Sequence, residues 1–164
     1  MLCVSKYPQD YMERCRSRVT LQLVTYRDLI AATGRHQTKD PRISTAVELF
    51  EPVFFNNMLL VLDTYFCHRS RTIEGKEGNA LNEVRVLGNS ILENKSVLAA
   101  HKAIKLKPDT SVLKLKPGDP IALSEADFSH LSKAFFDEIE RRFEDQITTN
   151  FLLAGLTYFI SVPE

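Results

Sequence analysis

VFFNNMLLVLDTYFCHRSR, residues 53–71, decides how the rest of the chain is read. Placed at about 100° per residue, it is apolar on nearly every side, and such a helix sits centrally in a fold. Its apolar arc holds Phe54, Phe55, Met58, Leu59, Val61, Leu62, Tyr65 and Phe66. One turn beyond the end of that arc, its centre falls on Arg69. His68 lies at the edge of the arc and Asp63 on the far side. Pro52 stands just before the run, so the helix either begins near Glu51 or kinks there. Ser44 is a candidate cap upstream.

The flanking segments supply partners for a central helix. Met12, Cys15, Val19, Leu23, Tyr26 and Ile30 recur at three- and four-residue steps, which predicts an amphipathic helix from about Gln9 to Gly34. A third helix is predicted over Ala80–Glu93, with Leu81, Val84, Leu87, Gly88 and Ile91 inward and Asn79 as its cap. In the last long helix, Ser124 and Asp127 form a capping box ahead of a stripe of Phe128, Leu131, Phe135, Ile139 and Phe143. Short links between helices favour antiparallel neighbours.

Between the third helix and the last, AIKLKPDTSVLKLKPGDPIAL alternates apolar and basic residues in two runs, each ending in Lys-Pro. Alternation and Pro-Gly-Asp predict a small β-hairpin or extended insert over about residues 103–123. The expected fold is mainly α: one domain, residues 1–164, built as an antiparallel bundle of four to five helices with this insert before the last long helix.

Bulk composition narrows the function classes. Lys plus Arg is 21 and Asp plus Glu is 21, a formal net charge of zero. That disfavours nucleic acid or an anionic membrane as the main partner and allows self-association. Cys3, Cys15 and Cys67 are widely spaced and odd in number, and MLCVSKYP lacks a long apolar core, so a reduced, cytoplasmic protein is expected. The apolar end, FLLAGLTYFISV, is too short to cross a bilayer, which takes about 20 residues. It asks for burial in the core or against a partner.

Residues 67–85, CHRSRTIEGKEGNALNEVR, concentrate the polar chemistry. An antiparallel pair of helices brings Tyr65, His68, Arg69, Asn82 and Arg85 to one end. Cations there can hold a small anionic ligand, His68 can act as acid or base, and the amides can orient a substrate. The plainer reading pairs Arg69 with an acidic residue such as Glu74 or Glu83 and leaves Glu83, Arg71 and the Gly75–Gly78 loop as ordinary surface. Asn57 interrupts an apolar helix; a buried amide must be bonded, so it either fixes packing register or contacts a ligand. Lys105, Lys107, Lys114 and Lys116 form one basic strip, either solvated edge lysines or a weak nucleic-acid contact.

No metal or cofactor is expected. The four histidines are dispersed, Asp127-x-x-His130 has no matching second motif, and no nucleotide-binding or nucleophile-elbow motif occurs. The expected function is a cytoplasmic, non-enzymatic binding or regulatory module that self-associates, as a homodimer. The alternative is a hydrolase or phosphoester-cleaving enzyme with its pocket at the junction of the second and third helices.

Overall fold

The computed structural model describes residues 3–35 and 41–144. Within them the chain forms helices α1 (Gln9–Arg35), α2 (Pro41–Tyr65), α3 (Arg71–Glu74), α4 (Ala80–Glu93) and α5 (Glu125–Phe143). The apolar segment 151–162 lies outside the described residues.

The core is built from the predicted stripes. Met12, Cys15, Val19, Leu23 and Tyr26 of α1 are buried, as are Phe128, Leu131, Phe135, Ile139 and Phe143 of α5. Phe55, Leu59, Leu62 and Phe66 are fully buried in the middle of the bundle. Aromatic rings join the layers: Phe55 meets Tyr26 edge-on, and Phe66 packs on Phe135 and Phe136.

The helix starts follow from their caps. Asn79 Oδ1 accepts from the backbone N–H of Leu81 and Asn82 at 3.0 and 3.1 Å. Ser124 and Asp127 exchange side-chain and backbone bonds as a full capping box. Helix α2 differs from its prediction. It begins at Pro41, where a missing N–H costs nothing, and continues through Pro52. Ser44 therefore lies inside the helix and donates to Glu48 instead of capping. Helix α3 is a single turn inside what the sequence reads as loop.

The expected β-hairpin over residues 103–123 does not form: there is no strand among the described residues. The reason lies in where the backbone groups go. Val112 and Leu113 N–H donate to the Glu83 carboxylate, Lys114 N–H to Ser111 Oγ, and Lys116 N–H to Asp119. Lys114 has φ of 58°, which breaks an extended run. The segment lies as a coil whose Ile104 and Ile121 are buried. It meets the chain just past α4 at one antiparallel bridge, Val97–Pro120.

A short N-terminal arm closes one end of the bundle. Val4 N–H donates to His68 O and Ser70 N–H to Val4 O, both at 2.8 Å. Tyr7 N–H donates to Phe143 O at 2.7 Å, and its ring is buried against Tyr11, Phe66 and Phe143. The arm thereby ties the end of α2 to the end of α5, over the place where Arg69 sits.

Helix α2 is 25 residues long and, among the described helices, it alone is long and apolar enough to cross a membrane. One face is core. The other leaves Leu49, Phe50, Val53 and Val61 exposed at 68%, 44%, 59% and 38%.

Candidate functional site

The polar junction is centred on a residue that the sequence reading treats only as one option for pairing. Glu74 closes α3, and its side chain is fully buried. Arg71 Nη1 lies 2.7 Å from Glu74 Oε2, and Arg69 Nε lies 3.2 Å from the same oxygen. Asn82 Nδ2 donates to Oε1 at 3.1 Å, and Arg85 Nη2 pairs with that oxygen too. Three guanidiniums and one amide thus converge on a single carboxylate.

Arg69 is itself closed in. Its side chain has no exposure, its Nη1 donates to Phe66 O at 3.0 Å, and its Nη2 donates to Asp63 Oδ1 at 2.8 Å and Leu81 O at 3.3 Å. The Phe135 ring lies 5.6 Å from the guanidinium carbon, a cation–π contact. Asp63, which periodicity sets on the far side of the helix, reaches Arg69 because the chain turns after Tyr65 and carries Arg69 back across the helix end. The helix pattern points Arg69 inward, but α2 ends at Tyr65, and Arg69 is buried by the turn that follows. It meets protein carboxylates, with Glu74 and Asp63 on its two sides.

The electrostatics follow from this packing. Burial pushes the Glu74 carboxyl up, but the Arg85, Arg69 and Arg71 guanidiniums outweigh it, and the net direction is down. Asn82 is fully buried and completes the support. Its Oδ1 accepts from Gly78 N–H at 3.0 Å and its Nδ2 also donates to Gly75 O at 3.1 Å. Gly78 has φ of +88°, and a Cβ there would stand 2.5 Å from Lys105 O. The turn entering α4 therefore requires glycine. Arg142, from the last turn of α5, donates to Ile73 O at 2.9 Å and pairs with Glu77 and Glu138. Glu77's carboxyl is held down to about 2, first by its own backbone N–H and then by Arg142.

Of the residues singled out in the sequence, Arg69, Asn82 and Arg85 come together in this cluster. His68 and Asn57 are exposed and stand outside it. Tyr65 is partly exposed, and its backbone carbonyl accepts from Tyr11 Oη at 2.6 Å. The amide that ties α2 to its surroundings is Asn56 rather than Asn57. Its Nδ2 donates to Ile121 O at 2.8 Å and its Oδ1 accepts from Leu123 N–H at 3.2 Å. Asn57 points out and donates to Val53 O in its own helix.

Glu83 is buried as well. It is 1% exposed rather than ordinary surface, and its two oxygens accept from Val112 and Leu113 N–H at 2.7 and 2.9 Å. Burial raises its pKa, against the lowering effect of those amides. Lys105, Lys107, Lys114 and Lys116 are all exposed, next to Leu106, Leu113 and Leu115, which pack against the core. Asp127 is occupied by the capping box.

Glu74 and Glu83 are the buried carboxylates that periodicity could not mark as buried. A signal for Glu74 was present in composition: Arg69, Arg71 and Arg85 bracket it closely in sequence. An apolar cleft among the described residues lies elsewhere. It is open, about 760 Å³, and its apolar lining, including Leu29, Ile30, Ile43 and Phe50, is joined by Thr33 and Arg42 between the end of α1 and the start of α2. No protein-family model, no curated protein and no solved structure matches this chain.

Proposed function

We propose that this protein is a non-enzymatic binding module of the cytoplasm that works by self-association. The observation that carries the reading is the outer face of α2, where Leu49, Phe50, Val53 and Val61 stand in solvent over most of the helix. Large exposed apolar patches on a folded chain mark surfaces that another molecule covers. The formal net charge of zero puts no bulk repulsion between copies. Exposed free thiols at Cys3 and Cys67 fit a reducing compartment.

The chemistry-bearing cluster supports the same side. A site for an anion needs a cation with spare donors facing a cavity. Arg69, Arg71 and Arg85 all face Glu74 instead. They hold α3 against α4 and the end of α2, which is a structural task. Sedimentation of the full chain at tens of micromolar tests the reading: a concentration-dependent dimer is expected, and a strict monomer removes it.

A further inference from the structure

Helix α2 carries two different faces. The inward face holds Phe55, Met58, Leu59 and Leu62. On the opposite side, Ala46, Phe50, Val53, Asn57, Leu60 and Thr64 follow one another at steps of four, three, four, three and four residues. That is the spacing of a helix–helix seam. From Ala46 to Thr64 no charged side chain falls on the row, and Arg42 continues it one turn earlier. Ala46, Phe50, Val53, Asn57 and Thr64 are exposed, and Leu60 is partly so. Leu49 and Val61 flank the row. On the neighbouring helix, Gly88 rests against Leu59 and Leu60, and one turn further along α4 Leu92 stands 70% exposed. A core helix of a lone bundle turns polar residues to solvent on this side.

We propose that a second copy of this chain covers this face, with α2 packed side by side and parallel with its own copy across a two-fold axis. The inference rests on the self-association reading above and assigns it a surface and a register. Phe50, Val53, Asn57, Leu60 and Thr64 each face their own counterparts. Asn57 sets the register. Its Nδ2 donates to Val53 O, and its Oδ1 accepts nothing among the described residues, so it is open to the partner's amide. A lone asparagine on an apolar seam fixes alignment and number of strands at some loss of affinity.

The size of the surface suits such a pair. At 1.5 Å per residue the row runs about 28 Å. With a flanking helix 8–10 Å to the side the face is about 20 Å wide, or about 560 Å² in projection. A corrugated surface exceeds its projection, which brings the contact towards the about 800 Å² per partner of a specific interface. A lipid surface needs apolar area without this spacing and has no use for Asn57 or Thr64 on the row.

The test uses the full chain with Cys3→Ser and Cys67→Ser, to which Val53→Cys, Asn57→Cys or Asp137→Cys is added singly. Under mild oxidation, Val53→Cys and Asn57→Cys are expected to form disulfide-linked dimers, and Asp137→Cys on α5 is not. Val53→Glu is expected to weaken the dimer at least tenfold in sedimentation while leaving the helical circular dichroism unchanged. A dimer that persists with Val53→Glu and links only through Asp137→Cys overturns the assigned face and leaves self-association standing. A strict monomer overturns both, and if that monomer floats with neutral phosphatidylcholine vesicles the face belongs to lipid. A monomer in which a photo-reactive residue at Val53 links to residues 145–164 overturns the inference in favour of the chain's own end.

Discussion

Arg69 and Glu74 are both fully buried, with Arg69 Nε 3.2 Å from Glu74 Oε2, at the end of the bundle that the N-terminal arm covers. Arg71 and Arg85 add two more cations to the same carboxylate, and Asp63 supplies the counter-charge on the other side of Arg69. Replacing Glu74 with Gln keeps the shape and removes the anion. The buried guanidiniums are then left facing one another, and breaking a buried pair in this way costs about 3–5 kcal/mol. Urea denaturation should show the midpoint fall accordingly. A Glu74→Gln protein of unchanged stability would mean that the cluster does not stabilise this end.

The pH dependence of stability has opposite contributions from two buried carboxylates. Glu74 is shifted down in the folded chain, so its stabilising effect is complete above the unfolded carboxylate pKa, about 4.3, and is lost as pH falls through the lower folded value. Glu83 is shifted up. Its folded form takes up a proton before the unfolded chain does, so its contribution falls as pH rises from about 4.3 through the raised folded value. Glu83→Gln should therefore make the acid loss of stability steeper than in the parent. Denaturant titrations at a series of pH values read this directly.

Glu83 also holds the coil that the sequence reads as a hairpin. Glu83→Ala leaves the N–H groups of Val112 and Leu113 without their acceptor. Each unsatisfied buried donor costs about 1–3 kcal/mol. Hydrogen exchange at Val112 and Leu113 should accelerate far more than at the core of α5. Equal acceleration everywhere would show a global effect in place of this local one.

Adjacent asparagines should behave unlike each other. Asn56→Ala removes two bonds to Ile121 and Leu123 and should cost about 1–3 kcal/mol. Asn57→Ala removes a bond within its own helix at an exposed position, and such surface changes lie within about 0.5 kcal/mol in a dilute monomer. Thermal unfolding of both variants at low protein concentration compares them.

Gly78→Ala tests the turn into α4. Its φ of +88° disfavours any side chain, and the new Cβ would collide with Lys105 O, which is backbone and cannot swing aside. Loss of well over 1 kcal/mol of stability is expected. A neutral result would mean that the turn relaxes.

The sequence by itself determined α1, α4 and α5, while the start of α2 and the whole of α3 came only with the structure. Three- and four-residue spacing of apolar groups marks a helix face whatever lies opposite, and caps act within a few residues. So α1, α4 and α5, the Asn79 cap and the Ser124–Asp127 box were legible before any packing was known. Helix α2 was legible as apolar all round, and the inward aim of Arg69 along with it. What the tertiary structure alone decided was the partner of each buried polar group. Periodicity gives a direction around an axis and says nothing of what waits there. Glu74 and Glu83 look like surface acids along the chain, and become central because guanidiniums, and amides from a coil about thirty residues away, come to meet them. The lysine-rich runs alternate like strands, yet strands need a facing ladder of backbone groups, and here Glu83, Ser111 and Asp119 take those groups first. Asn56 and Asn57 are the same residue one step apart; about 100° of helix rotation puts one against Ile121 and the other on the outer face.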